Sequence, residues 1–135
     1  MAEEGKVEFE LVSPERLLVS EPVDMVVVPG AEGDFGVLPR HAPLISTVRP
    51  GVIRIFEGNQ VTSEIFIAGG FAEVTGTRCT VLAEVAMPVG DIDKAKVEEE
   101  LRNLRDDEKD AKTDAERAAV QAKIKVRETM LEVAA

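Results

Sequence analysis

Tryptophan and tyrosine are missing from the 135 residues, and five phenylalanines are the only aromatics. Platforms that stack nucleobases or sugar rings use such side chains, so their scarcity argues against a single-stranded nucleic-acid binder. The core is left to Val, Ile and Leu. A lone cysteine, Cys79, excludes an intramolecular disulfide. It stands in an alternating apolar run and reads as a small core residue. A lone histidine, His41, is too little for a metal-dependent jelly roll, which needs several imidazole or carboxylate ligands. No G-x-S-x-G turn occurs to carry a nucleophile. No apolar run approaches the ~20 residues of a spanning helix. Positive charge is also scarce. Up to Gly90 there are 6 basic against 13 acidic residues, net −7; beyond it, 10 against 13, net −3. Phosphate backbones and anionic lipids demand a positive face, so neither half suits them. The acid serves solubility or a basic protein partner. The opening Met-Ala-Glu-Glu-Gly-Lys is acidic and polar, unlike a leader peptide, and an intracellular chain is expected.

What is present falls into two halves with two periods. Residues 1 to about 90 alternate: Val7, Phe9 and Leu11 against Glu8, Glu10 and Val12. Asp24 to Pro29 is a β-branched run ended by Pro-Gly. Ile53, Ile55, Ile65 and Ile67 flank a hairpin-type turn at Glu57-Gly58-Asn59-Gln60. Phe71–Val74 and Cys79–Val85 flank another at Gly76-Thr77. Eight to ten short strands at regular spacing predict a β-sandwich or flattened barrel. After Gly90 neither Gly nor Pro occurs and the period becomes helical: Val97, Leu101 and Leu104 fall at i, i+4, i+7. Asp91 or Asp93 caps this helix. Thr113-Asp114-Ala115-Glu116 is a capping box opening a second one, with Asp110 to Thr113 as the turn. Ala115, Ala119, Ala122, Val126, Met130 and Val133 form its expected apolar face. The fold class is thus β + α: a sandwich over 1–88 and an antiparallel two-helix hairpin over 91–135. An Ala-rich contact buries little area, so the hairpin is either a plain cap or an element that detaches or needs a partner.

One stretch concentrates the turn residues. Between Pro29 and Gly51 stand Gly30, Gly33, Gly36, Pro39, Pro43 and Pro50, with Arg40 and His41 among them. Such constrained turns present a rigid surface. The three glycines are no P-loop, because no Lys-Ser/Thr follows and Glu32 and Asp34 would repel phosphate. From the residues alone, His41 is either a structural histidine or an interface residue. The acids lie mostly at alternating exposed positions, so a catalytic carboxylate pair is not indicated.

The glycine-proline stretch, with His41-Ala42-Pro43-Leu44 and Arg49-Pro50-Gly51, resembles the epsilon subunit of the bacterial F-type ATP synthase. Val7-Glu8-Phe9-Glu10-Leu11-Val12-Ser13-Pro14, Ile67-Ala68-Gly69-Gly70-Phe71 and Cys79 to Ala86 fit in the same order, so the resemblance spans almost the whole chain. It implies a non-catalytic central-stalk subunit without a cofactor. Such a subunit links gamma to the membrane rotor ring of c subunits, peripheral to the cytoplasmic face of the inner membrane. It also implies that Glu32, Arg40 and His41 are partner-binding, and that the hairpin can extend towards the alpha and beta subunits and restrain hydrolysis. Some members bind ATP on the hairpin through I/L-D-x-x-R-A. Here Ile92 and Asp93 keep the pattern, while Lys96 replaces Arg and Val97 replaces Ala. Lysine lacks the bidentate fork of arginine. Ile92, Asp93, Lys96, Arg117 and Arg127 are therefore weak nucleotide-binding candidates. The competing class is a free-standing ligand- or carbohydrate-binding sandwich with a helical lid.

Overall fold

The computed structural model describes residues 5–134. The chain divides into two compact units, Met1–Pro88 and Val89–Ala135. The first holds eight strands: β1 (Val7–Val12), β2 (Leu17–Val23), β3 (Met25–Gly30), β4 (Gly33–Val37), β5 (Leu44–Thr47), β6 (Gly51–Glu57), β7 (Gln60–Thr75) and β8 (Arg78–Pro88). Their order across the sheet is β2-β1-β8-β7-β6-β3-β4, with β5 also on β7. All pairs are antiparallel except β1 with β8.

Alternation puts one side of each strand into a common core. Val7, Phe9 and Leu11 of β1 are buried, as are Val26 and Val28 of β3, Ile53 and Ile55 of β6, and Val74 of β7. Burying each such side chain is worth roughly 1.5–3 kcal/mol relative to exposure. Cys79 belongs to this cluster, and burial pushes its thiol up to about 12. It is a packing residue, as its position in the run predicts.

Two strands are not short. β7 has 16 residues and β8 has 11. The sequence suggests a break before Phe71, but Gly69 and Gly70 bend one continuous strand instead. Both have positive φ, +73° and +98°. A Cβ on Gly70 would stand 1.8 Å from the Leu82 carbonyl oxygen, so no L side chain fits. Before the bend β7 pairs with β6 (Gly51↔Ile67 to Glu57↔Gln60); after it, with β5 (Thr47↔Phe71 to Leu44↔Val74). The glycine pair is the bend at which β7 exchanges β6 for β5 as its partner on that edge.

In the second unit a 3-10 turn, Val89–Asp91, leads into α1 (Lys94–Asp110) and α2 (Asp114–Ala134). Asp93, not Asp91, is the N-cap: its carboxylate accepts the Lys96 N–H at 3.2 Å. The α2 box forms with one shift. The Thr113 hydroxyl accepts the Glu116 N–H (3.0 Å), while the Glu116 carboxylate accepts from Lys112 N–H (2.9 Å) rather than from Thr113.

The expected Ala-rich face of α2 is only partly right. Ala115, Ala119 and Ala122 are exposed; Met130 is buried, and Val126 and Val133 are half-buried. Ile124 is buried, while Val120 is half-buried like Val126 and Val133; on α1, Val97 and Leu101 are buried. Alanine is a strong helix former on any face, so its spacing does not mark the inside. The larger side chains gain more from burial and set the rotation. Two ion pairs cross between the antiparallel helices, Arg127–Glu100 and Arg105–Glu128, each 3.6 Å.

Candidate functional site

The β3–β4 turn carries Glu32 at its exposed tip. Arg49 holds this turn from beneath: its guanidinium donates to the Gly30 carbonyl (2.6 Å) and pairs with Asp34. The backbone adds Ala31 N–H to the Thr47 carbonyl and Arg49 N–H to the Pro29 carbonyl, both 2.9 Å. Gly30 is required here, because a Cβ would stand 2.9 Å from the Phe35 ring and from the Gly33 carbonyl oxygen. Charge from Arg49 and Asp34 is thus spent on rigidity, and Glu32 is exposed with no ion pair among the described residues.

The β4–β5 loop carries Arg40 and His41. Arg40 has φ +67° and donates its N–H to the Gly76 carbonyl (2.9 Å), which ties the loop to the β7–β8 hairpin. His41 N–H donates to the Leu38 carbonyl at 3.2 Å. His41 Nδ1 lies 2.6 Å from the Ala42 carbonyl oxygen. A carbonyl only accepts, so Nδ1 carries the proton in this contact, and Nε2 makes no hydrogen bond among the described residues. The loop is held at both backbone and ring.

These two sites are not adjacent. Glu32 precedes β4 and Arg40–His41 follow it, so the length of that strand, about 16 Å, separates them. The sequence places all three residues on one stretch; the fold makes two rigid surfaces of it.

A third surface escapes the sequence reading. Val12, Leu82 and Phe71 are register partners across β1, β8 and β7 on the face opposite the core. Ile45 of β5 shares this face and is 70% exposed; Phe71 is 43% exposed. Val12, Pro14, Phe71, Leu82 and Glu84 line a shallow groove of ≈ 290 Å³ there. Farther along the same face the row is polar: Arg78 pairs with Glu10 (3.0 Å), and the Thr80 hydroxyl donates to Glu10. The missed signal was Leu, Phe and Ile standing at outward positions of the alternation, where charge is usual.

On the hairpin the five nucleotide candidates separate. Ile92, Asp93, Lys96 and Arg127 lie toward the end away from the α1–α2 turn. Arg117 lies near the turn, at least about 16 Å along the helices from Lys96, and pairs with Asp114 at 3.0 Å. Asp93 is occupied by capping. Arg127 faces Glu100, and its Nε is buried without a hydrogen bond, since 3.6 Å is too long for one. A phosphate near Lys96 would meet the Glu100 carboxylate as well as Arg127. No helix of the described residues is long and apolar enough to cross a membrane.

Residues 6–89 match the family described as ATP synthase, Delta/Epsilon chain, beta-sandwich domain. The ATP synthase epsilon chain of Rhodospirillum centenum is 55% identical over 135 residues, covering 96% of this chain and 92% of the relative. That of Rhodospirillum rubrum is 60% identical over 117 residues, covering 86% and 87%. Among solved structures, a chain of the Euglena gracilis mitochondrial ATP synthase, determined with its c-ring, superposes with a TM-score of 0.79. It is 24% identical, over 95% of this chain and 81% of that one. A chain of the Tetrahymena thermophila mitochondrial ATP synthase central stalk and c-ring gives 0.68 at 13% identity, over 96% and 97%. The two solved structures share the fold, and the two bacterial relatives, each similar over most of its length, carry the assignment: the chain belongs to the ATP synthase epsilon chain family.

Proposed function

We propose that the chain is a central-stalk rotor subunit of the F-type ATP synthase, joining gamma to the membrane ring of c subunits. It performs no bond chemistry and sits, as a peripheral subunit, on the cytoplasmic face of the bacterial inner membrane. The observation that carries this reading is the outward apolar row Val12–Leu82–Phe71 with Ile45, on a sheet whose other face already owns the core. An apolar patch on such a face is an interface in need of a cover. The two pinned loops fit the same reading: lying at opposite ends of β4, they serve two different neighbours. A stalk that transmits torque needs rigid contacts, and both loops are cross-tied by backbone hydrogen bonds.

The hairpin has the regulatory part. Extended along gamma towards alpha and beta, it restrains ATP hydrolysis. Its buried side chains are few, Val97 and Leu101 on α1 and Ile124, Thr129 and Met130 on α2, and its cross-helix pairs are partly exposed, a kind worth only ~0–1 kcal/mol each. The test compares the full chain with one ending at Gly90 in the reconstituted complex. The truncated chain should assemble and support synthesis while hydrolysis rises. Equal hydrolysis would remove the regulatory role. Failure of the full chain to join gamma and the ring would remove the stalk assignment itself.

A further inference from the structure

Charge frames the seam of the helical hairpin. Helical residues step by about 100°, so counting round α1 from Glu100, Val97 comes at about 60°, Leu101 at about 100° and Arg105 at about 140°. The two buried side chains of α1 thus stand between an acid and a base. On α2, counting from Arg127, the buried Ile124 comes at about 60° and Glu128 at about 100°. The frame is reversed between the helices. Glu100 meets Arg127 on one flank of the seam, and Arg105 meets Glu128 on the other, each at 3.6 Å.

This reversal selects one pairing. Two copies of α1 packed antiparallel through the same stripe would set acid on acid along one flank and base on base along the other, and so would two copies of α2. A slip of one turn, about four residues, keeps a single pair. In one direction Glu100 would meet Lys123 while Arg105 met Ile124; in the other, Arg105 would meet Glu132 while Glu100 met Leu131. The hold is also incomplete. Arg127 Nε is buried without a hydrogen bond, and water would serve that donor once the helices part.

We infer that Glu100, Arg105, Arg127 and Glu128 form an electrostatic latch on the hairpin. They fix the faces and register in which α1 and α2 close, and they make the balance of closed and open hairpin depend on ionic strength. Arg127–Glu100, the less exposed pair, is its main bond; salt loosens the more exposed Arg105–Glu128 first. The latch belongs to the hairpin itself, and only its consequence for hydrolysis rests on the regulatory reading.

The experiment is amide hydrogen exchange over α1 and α2 in the full-length chain, at low and high salt. The variants are Arg127→Glu, Glu100→Arg and the two together, with Lys125→Glu, an exposed position of α2, as the control for charge. Each latch reversal loses an attraction and gains a repulsion, so hairpin amides should exchange about tenfold faster at low salt. The double variant should regain most of the protection, and high salt should narrow the differences. Single variants that exchange like Lys125→Glu overturn the latch, as does a double variant no better protected than the singles. The same chains in the reconstituted complex separate the two readings. Protection that follows this pattern while hydrolysis stays constant upholds the latch and removes the regulatory role.

Discussion

The Cα of Gly70 lies so close to the carbonyl of Leu82 that a methyl group on it would stand 1.8 Å from the oxygen. Backbone, unlike a side chain, cannot swing aside. Gly70→Ala should therefore destabilise the sandwich by more than about 4 kcal/mol or prevent its folding, through clash and a positive φ together. Gly76→Ala, with nothing within 4 Å of the added carbon, is the control and should cost far less. Urea unfolding of both variants reads the difference, and equal midpoints would mean the bend can be re-routed.

Lys6 ties the first strand's approach to the β6–β7 turn. Its Nζ lies 2.6 Å from Asp24 and 3.1 Å from Glu57. Hydrogen bonding to Asp24, then to Glu57, raises the Lys6 pKa, and Lys6, then the Gly58 N–H, lowers that of Asp24. The signs set a window. The lowered carboxyl contributes stability above its unfolded value near 3.8, which is lost as pH falls through the folded pKa. The raised ammonium contributes below 10.5, and that is lost as pH rises through the folded pKa. Lys6→Met should flatten both limbs of the melting temperature against pH. Unchanged limbs would assign the pH dependence elsewhere.

The hairpin seam predicts an asymmetry that contradicts the alanine pattern. Ile124→Ala removes a buried side chain and should cost roughly 2–5 kcal/mol of hairpin stability. Ala119→Ser, on the exposed face, should stay within about 0.5 kcal/mol. Amide hydrogen exchange over α2 in the full chain measures both. Comparable loss of protection would restore the alanine face as the contact.

Titration of the isolated chain with ATP should reveal no tight site. Lys96 supplies a point charge, Val97 adds bulk, Arg127 is held against Glu100, and Arg117 is at the wrong end of the hairpin. A one-to-one isotherm in the micromolar range would sink this expectation, and it would require Arg127 to leave Glu100.

Much of this molecule is determined within a few residues of chain. Alternation around Val7–Leu11, the Gly58-Asn59 and Gly76-Thr77 turns, the change of period after Gly90 and the Thr113 capping box are local matters. Local geometry and hydrophobic spacing settle them, so the sequence alone determined a β-sandwich followed by two helices. The ordered motifs did the same for the family. Tertiary structure decided what depends on distant atoms. Whether Gly69–Gly70 ends a strand or bends it is set by the Leu82 carbonyl, twelve residues past Gly70. Which face of α2 is inside is decided by packing in the folded hairpin, where Ile124, Thr129 and Met130 are buried, because alanine is at home on either side. The outward row Val12–Leu82–Phe71 exists only once three strands are in register. The separation of Glu32 from Arg40 follows from β4 running straight between them, a length that adjacency in sequence conceals.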